Sequence, residues 1–357
     1  MNQTIVLTGG GTAGHVMPNL ALLDGLREMG FEIVYIGGKN SMEQKLAEQA
    51  GLPFYGVSTG KLRRYASVKN LTDPFRVVKG LAEAVGLMRK LKPALVFSKG
   101  GFVIVPVVMA ARLCGVKCVL HESDMTPGLA NKLTIPMAHR VCATFPETMQ
   151  YLPAKKAVLT GAPIRKELFA GSRLEGRRLA GFAEEKPTLL VVGGSSGARA
   201  VNQCVREALP LLTKTYNVVH LCGKGNVDES LQIQGYKQFE FVSQELPDLF
   251  AAADAVISRA GSNAVNEFLA LKKPMLLIPL PLSQSRGDQI ANASSLQKRG
   301  LADVLDEAGM TADSLANAVD ALFAKRGEIA VAMQADAGND GVREVLRVIA
   351  EATAPRR

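Results

Sequence analysis

Tryptophan is absent from the 357 residues, and aromatic side chains make up only 5% of them. That poverty argues against an aromatic stacking platform for single-stranded nucleic acid, so nucleic acid is not an expected partner despite a net charge of +9. Cysteine is scarce as well: the five residues at 114, 118, 142, 204 and 222 are dispersed and form no Cys-x-x-Cys pair. Neither a disulfide framework nor a zinc site is expected from that spacing, and the five read as small buried hydrophobes. Long apolar runs are missing too. The longest, Phe102 to Val116, is interrupted by Pro106 and Arg112 and falls short of the roughly 20 residues a spanning helix needs. Met1-Asn2-Gln3-Thr4 leads straight into a strand pattern with no basic and apolar leader, which reads as a cytosolic protein. No G-x-x-x-x-G-K-[ST] occurs, so a P-loop nucleotidase is unsupported. Gly9, Gly11 and Gly14 satisfy G-x-G-x-x-G, but the second strand ends Ile36-Gly37-Gly38-Lys39 without the carboxylate that would hold a dinucleotide ribose. Hydride transfer is disfavoured, although Lys39 leaves room for the 2′-phosphate of NADP.

What is present is an average globular balance, 47% hydrophobic and 21% charged, over a length that suits two domains. Short apolar strand candidates at residues 4–9, 32–36, 94–97, 117–121 and 157–160 alternate with helical patterns. After Gly161-Ala162-Pro163 the pattern restarts, with strands expected at 188–192, 218–221, 239–242, 255–257 and 275–278. The expected architecture is α/β: two Rossmann-like, doubly wound parallel-sheet domains whose strand ends face each other across a cleft. Domains are placed at 1–162 and at 163–340. Past Thr311 the chain reads as helix to about Glu351, and residues 341–357 form a helix and tail able to pack back on the first domain. The charge is lopsided. Residues 1–160 carry 19 Lys+Arg against 10 Asp+Glu, whereas 161–357 carry 23 of each, so the whole excess lies in the first half and points to an anionic partner there.

Three glycine-rich turns stand at strand ends: residues 9–15, 98–102 and 193–199. Each can wrap backbone N–H groups and a helix N-terminus around a phosphate. Gly11, Gly100 and Gly101 are the candidates for an acceptor diphosphate. In the second half, Arg259 to Glu267 follows a strand and opens a helix, with Ser262 expected as its N-cap and Asn263 and Ala264 in the first turn. Glu267, one turn in, can accept hydrogen bonds from both hydroxyls of a ribose. Asp288, Gln289 and Asn292 are spaced to share a helix face that suits sugar hydroxyls.

The segments GGGTAGHVMPN, FSKGGFVIVP, HESDMTPGLANK, GAPIR, GGSSGARAVNQ and RAGSNAVNE, in this order from Gly9 to Glu267, resemble the MurG family of peptidoglycan N-acetylglucosaminyltransferases. The resemblance covers about Ile5 to Leu305. It implies a GT-B fold and transfer of GlcNAc from UDP-GlcNAc to the C4 hydroxyl of the muramoyl sugar of lipid I, giving lipid II with inversion. It further implies that Thr12, Ala13, Gly14 and His15 face the two sugars, that Arg165 and Ser195 contact the donor, and that the backbone of Val242 reads uracil. Glu267 takes the ribose, and Gln289 and Asn292 contact GlcNAc. Three departures stand out. Asp124 occupies the place of an Asn and Asp288 that of a Gln, which makes both places more acidic, and Ala13 replaces a Gly, so that position needs no left-handed backbone.

Inverting transfer needs a base for the incoming hydroxyl and stabilisation of the departing diphosphate. His15, Glu122 and Asp124 are the candidate catalytic residues, with no choice among them from sequence. Loop amides, helix ends and Arg165 can meet the diphosphate, so neither a protein-bound metal nor a cofactor is expected. The basic run Lys61, Arg63, Arg64, Lys69, Arg76, Lys79, Arg89, Lys90 and Lys92, with the apolar residues of 74–91, suits an anionic membrane surface and peripheral docking at its cytoplasmic face. The rival readings are a UDP-GlcNAc 2-epimerase of the same fold and a non-catalytic membrane-docking subunit.

Overall fold

The computed structural model describes residues 3–60, 69–183, 185–194, 197–336 and 340–354; for 69–75 it describes the backbone only. The chain divides into two compact units, Met1–Arg165 with Gly338–Arg357, and Lys166–Ala337. The first contains seven strands: β1 (Gln3–Thr8), β2 (Phe31–Gly38), β3 (Phe54–Val57), β4 (Leu95–Ser98), β5 (Lys117–Glu122), β6 (Arg140–Ala143) and β7 (Ala157–Leu159). They form one sheet in the order β3-β2-β1-β4-β5-β6-β7, and every pairing is parallel. Period-two alternation assigns side chains to its two faces. Val6, Val34, Ile36, Val96 and Leu120 enter one core, and Ile5, Leu7, Tyr35, Leu95, Phe97 and Val119 the other. Helices cover both faces, which is why the strands read as nearly continuous apolar runs.

The direction of winding reverses between β1 and β4, where open α/β sheets make a crevice at their carboxyl edge. Thr8 pairs with Ser98 and Ser98 with Leu120, so the first glycine turn, Lys99 and His121 emerge side by side. The second unit repeats the plan with β8 (Thr188–Val192), β9 (Asn217–Leu221), β10 (Tyr236–Phe239), β11 (Ala255–Ser258), β12 (Met275–Leu277) and β13 (Asp303–Val304), ordered β10-β9-β8-β11-β12-β13 and again all parallel. Val192 pairs with Ser258, which sets the third glycine turn beside the 259–261 loop at that sheet's own switch point.

Several elements differ from the sequence reading. β3 and β6 are additional strands, the first carrying a glycine and the second only four residues long, and β13 is a two-residue edge. β10 lies three residues earlier than 239–242, because Tyr236 turns inward to His220 while Phe241 is 67% exposed. The long C-terminal helix is two helices, Ala312–Ala335 and Gly341–Thr353. Asp340 starts the second, its carboxylate accepting from the Val342 and Arg343 amides. A Cβ at Gly341 would lie 2.1 Å from the Ala162 carbonyl oxygen, so this start requires glycine. That helix buries Val345, Val348, Ile349 and Ala352 in the Ile5/Leu7 core. Full burial of a Val or Ile side chain contributes about 1.5–3 kcal/mol, so the segment is integral to the first unit.

Candidate active site

The first glycine turn is braced from below. The buried Asn19 amide donates to the Thr8 carbonyl (3.1 Å), and the Tyr35 hydroxyl donates to the Gly9 carbonyl (2.8 Å). The second turn locks onto the first. The Gly10 N–H donates to the Gly100 carbonyl (3.2 Å), and a Cβ at Gly101, whose φ is +84°, would lie 2.1 Å from the Gly10 oxygen. Close approach and a left-handed backbone both demand glycine there.

His15 closes a short 3₁₀ turn, Ala13–His15, and lies against this pair of loops. Its Nδ1 is 2.9 Å from the Gly10 carbonyl oxygen and 3.3 Å from the Thr12 hydroxyl. A carbonyl only accepts, so Nδ1 carries the proton and Nε2 keeps its lone pair. The Nε2 edge faces Gly100, where a Cβ would come within 3.5 Å. Burial lowers the His15 pKa below its ordinary value, the bond to Gly10 opposes this, the Lys99 charge adds to it, and Asp124 and Glu43 pull the other way. Ala13 has no positive φ, as its replacement of glycine implies.

Glu122 ends β5 and is buried, and both its carboxylate oxygens are committed. Oε1 accepts from the Asp124 amide (3.0 Å), and Oε2 accepts from the Gly128 amide (2.9 Å) and the Asn131 side chain (2.8 Å). The carboxylate thereby organises the 123–128 loop, with one bond to Oε1 and two to Oε2. Asp124 sits half-buried on that loop, its carbonyl accepting from the Thr148 hydroxyl (3.1 Å), and its charge acts on both His15 and Lys99.

Two groups were not singled out from sequence. Glu43, from the helix Met42–Gln49, is buried with Oε1 accepting from Gly38 N–H (3.0 Å) and Oε2 from Gly11 N–H (3.2 Å). A carboxylate therefore does stand at the end of β2, supplied by the following helix. It also corrects the expectation for Gly11, whose amide is already given to Glu43 and is not presented to a diphosphate. Lys99 is the other: its buried ammonium donates to His121 Nδ1 (2.9 Å) and to the Ser123 hydroxyl. The position of Lys99 directly after an apolar strand and before two glycines was the available signal.

In the second unit the helix Ser262–Ala270 begins after Gly261, which takes the N-cap position expected for Ser262. Ser262, Asn263 and Ala264 form its opening turn, the amide end that favours an anion, and Glu267 is half-buried one turn further on. Gln289 and Asn292 lie on the helix Asp288–Lys298 but face inward rather than presenting a common polar face. Gln289 Oε1 accepts from the Leu280 amide (3.0 Å), and the fully buried Asn292 donates to the Ala260 carbonyl (3.0 Å). Asn292 thereby pins the 259–261 loop that leads into the opening turn, and Gln289 the loop after β12. Asp288 is neutralised by Arg286, with Nε to Oδ2 at 2.8 Å and Nη2 at 2.6 Å, so its acidity is balanced beside it. Val242 is buried three residues past β10, on a loop rather than within a strand. Arg165 is half-buried at the end of the first unit's main segment, and Ser195 lies outside the described residues. The structure thus gathers His15, Asp124, Gly100, Gly101, Lys99 and Glu43 at one sheet edge, and Ser262 to Glu267 with Gln289 and Asn292 at the other.

Residues 5–143 match the glycosyltransferase family 28 N-terminal domain and residues 188–346 its C-terminal domain. A relative from Lachnoclostridium phytofermentans, 54% identical over 98% of this chain and 99% of its own length, is named UDP-N-acetylglucosamine–N-acetylmuramyl-(pentapeptide) pyrophosphoryl-undecaprenol N-acetylglucosamine transferase. The crystal structure of Acinetobacter baumannii MurG superposes with a TM-score of 0.76 at 27% identity, over 98% of this chain and 99% of that one. A putative UDP-N-acetylglucosamine 2-epimerase from Listeria monocytogenes, with a TM-score of 0.69 at 12% identity over 98% and 96% of the two chains, shares the fold alone. The chain is an enzyme of the GT-B fold that belongs to glycosyltransferase family 28 and, within it, to the MurG family of N-acetylglucosamine transferases.

Proposed function

We infer that this chain moves GlcNAc from UDP-GlcNAc to the C4 hydroxyl of the MurNAc of lipid I, forming lipid II for peptidoglycan synthesis with inversion at the anomeric carbon. Full-length identity of 54% to a named transferase supports both substrates. The observation that carries the chemistry is His15, anchored through Nδ1–H to Gly10 with a lowered pKa. A neutral imidazole with an available Nε2 is the form a general base needs at neutral pH. The hydroxyl proton passes to Nε2, the oxygen bonds to the anomeric carbon, and the bond from that carbon to the diphosphate breaks with its electron pair leaving on UDP. Asp124 and Glu43 then favour the imidazolium.

The first unit takes the acceptor, its diphosphate lying at the Gly100–Gly101 turn. The second takes the donor: Glu267 accepts from the ribose hydroxyls, the Val242 backbone meets uracil, and the amides of 262–264 face the diphosphate. Asp288, Gln289 and Asn292 support the GlcNAc pocket by fixing the loops around it. The test is UDP release from UDP-GlcNAc, with and without a short-chain lipid I analogue, across pH 5–8. Release is expected only with acceptor, and its acid limb should fall below pH 6.5, because activity disappears as His15 protonates. Acceptor-independent release of UDP would overturn the assignment.

Peripheral attachment to the cytoplasmic membrane face is the companion proposal. Among the described residues no helix is long and apolar enough to cross a membrane. The helix Lys69–Leu91 packs through Gly80, Ala84 and Met88 and leaves Arg76, Lys79, Arg89 and Lys90 exposed, with Val78 67% exposed among them. Lys61, Arg63 and Arg64, and the Lys69 side chain, lie outside the described residues. Each basic residue near an anionic surface is worth about 1 kcal/mol, so flotation with anionic vesicles should be strong at low salt and weak at high salt. No binding at either salt concentration would contradict the proposal.

A further inference from the structure

Lys99 is the first residue after β4, and its side chain runs into the protein rather than out to solvent. Its Cβ packs beneath Gly9, whose own Cβ would come within 3.3 Å of it, and its ammonium reaches His121 Nδ1 and the Ser123 hydroxyl. His121 Nε2 donates to the Gly161 carbonyl (3.0 Å), so its Nδ1 is an acceptor and the ring is neutral. Among the described residues the buried ammonium thus has only neutral direct partners. The carboxylates around it, Glu122 and Asp124, act through space, and Glu122 spends its oxygens on the loop. Cys142 on β6 and the two histidines, His121 and His15, are further titratable neighbours. A buried cation without a bonded carboxylate is costly, and such groups persist where their charge is used.

The next residue, Gly100, lies where a Cβ would meet the His15 ring at 3.3 Å, and the residues that hold the ammonium lead directly into Asp124. We propose that Lys99 is the positioning residue of this reaction: its buried ammonium ties the end of β4 to the 121–124 loop beside His15 and keeps His15 in its proton-accepting form. Among the described residues three charged groups act on His15, Lys99, Asp124 and Glu43. The two acids favour the imidazolium, and Lys99 opposes it together with the larger effect of burial. With an aspartate at position 124, a cation behind the loop restores the balance. Burial pushes Lys99 itself down to about 8, so its charge is lost just above neutrality. This inference rests on the reading of His15 as the base.

The test compares the full-length wild type with Lys99→Met, Lys99→Arg and Ser123→Ala. Two readouts are taken: the pH dependence of kcat/KM with UDP-GlcNAc and a short-chain lipid I analogue, and the NMR titration of His15 in the free protein. Lys99→Met should raise the His15 titration and the acid limb together, because it removes the cation that opposes the imidazolium. Lys99→Arg keeps the cation and should leave both in place. Ser123→Ala, a small change that spares the fold, removes a partner of the ammonium but keeps its charge, and should likewise leave the acid limb in place. An unmoved His15 titration in Lys99→Met, or one that moves as far in Lys99→Arg, overturns the proposal. A His15 titration that moves while the acid limb of kcat/KM stays put upholds the Lys99 inference and removes His15 as the base.

Discussion

Each unit buries a neutral histidine on a strand beside its sheet's carboxyl edge, and the two are put to different uses. In the second unit, His220 on β9 accepts from the Tyr236 hydroxyl (3.0 Å) and donates to the Asn202 side-chain oxygen (3.0 Å), while Asn202 donates to the Cys222 carbonyl (2.8 Å). That web links two strands to the helix Arg199–Thr215 through neutral partners of the ring itself, and burial, with the Arg206 charge adding to it, holds the His220 pKa down to about 3. In the first unit, His121 on β5 bonds an ammonium, and the same chain of contacts reaches the loops around His15. The lesson is that a buried histidine is defined by its partners: satisfied by neutral groups it is architecture, and bonded to a cation beside a glycine loop it belongs to the chemistry. The same contrast runs through the acids. Glu43 and Asp124 flank the His15 turn of the first unit, with Glu122 bracing the neighbouring 123–128 loop, whereas the second unit offers the amides of an opening helical turn, Glu267 and a locally paired Asp288.

Glu122→Ala should break that contrast most severely, because it strands the amides of Asp124 and Gly128 and the Asn131 side chain. A loss of about 3 kcal/mol is expected, seen as a Tm lower by roughly 6–12 °C, together with loss of turnover. Glu267→Ala should leave the Tm alone and weaken UDP-GlcNAc by roughly 10- to 100-fold in calorimetry, the value of hydrogen bonds from ribose to a charged acceptor. Acid should destabilise both units. His121 and His220 are held neutral by burial, so between pH 6.5 and their lowered folded values the unfolded chain binds more protons and stability falls as pH falls. Each contributes up to about 1.4 kcal/mol per pH unit, and His220→Gln should flatten the decline of Tm between pH 7 and 5. The smallest effect belongs to Asp288→Asn. Its partner Arg286 is 37% exposed at the side chain, so stability should change by less than about 1 kcal/mol and turnover by less than about twofold.

The parallel sheets and the three glycine turns were legible because strands buried on both faces leave apolar runs, and a tight turn after such a run leaves glycine. β3 and β13 were not, since a strand holding Gly56 or only two residues long leaves too little pattern. Within the site, residue types were legible but directions were not. Gln289 and Asn292 have the spacing of an outward face, yet their amides turn to the backbone of neighbouring loops, Gln289 to the Leu280 N–H and Asn292 to the Ala260 carbonyl 32 residues earlier. Asp124 and Asp288 look like added acidity in a linear reading; in three dimensions Arg286 answers one and Lys99 the other. Glu43 illustrates the same limit, since a helical glutamate carries no mark that it will turn back and bond a glycine loop 32 residues earlier.

The division of labour between the two units is tested most directly by His15→Ala, measured for turnover and for UDP affinity on the same preparation. The account predicts a fall in kcat of roughly 100- to 10,000-fold with the UDP Kd unchanged within about twofold. A weakened Kd with kcat near the wild-type value would contradict it, because His15 would then be a donor contact and the base would lie elsewhere.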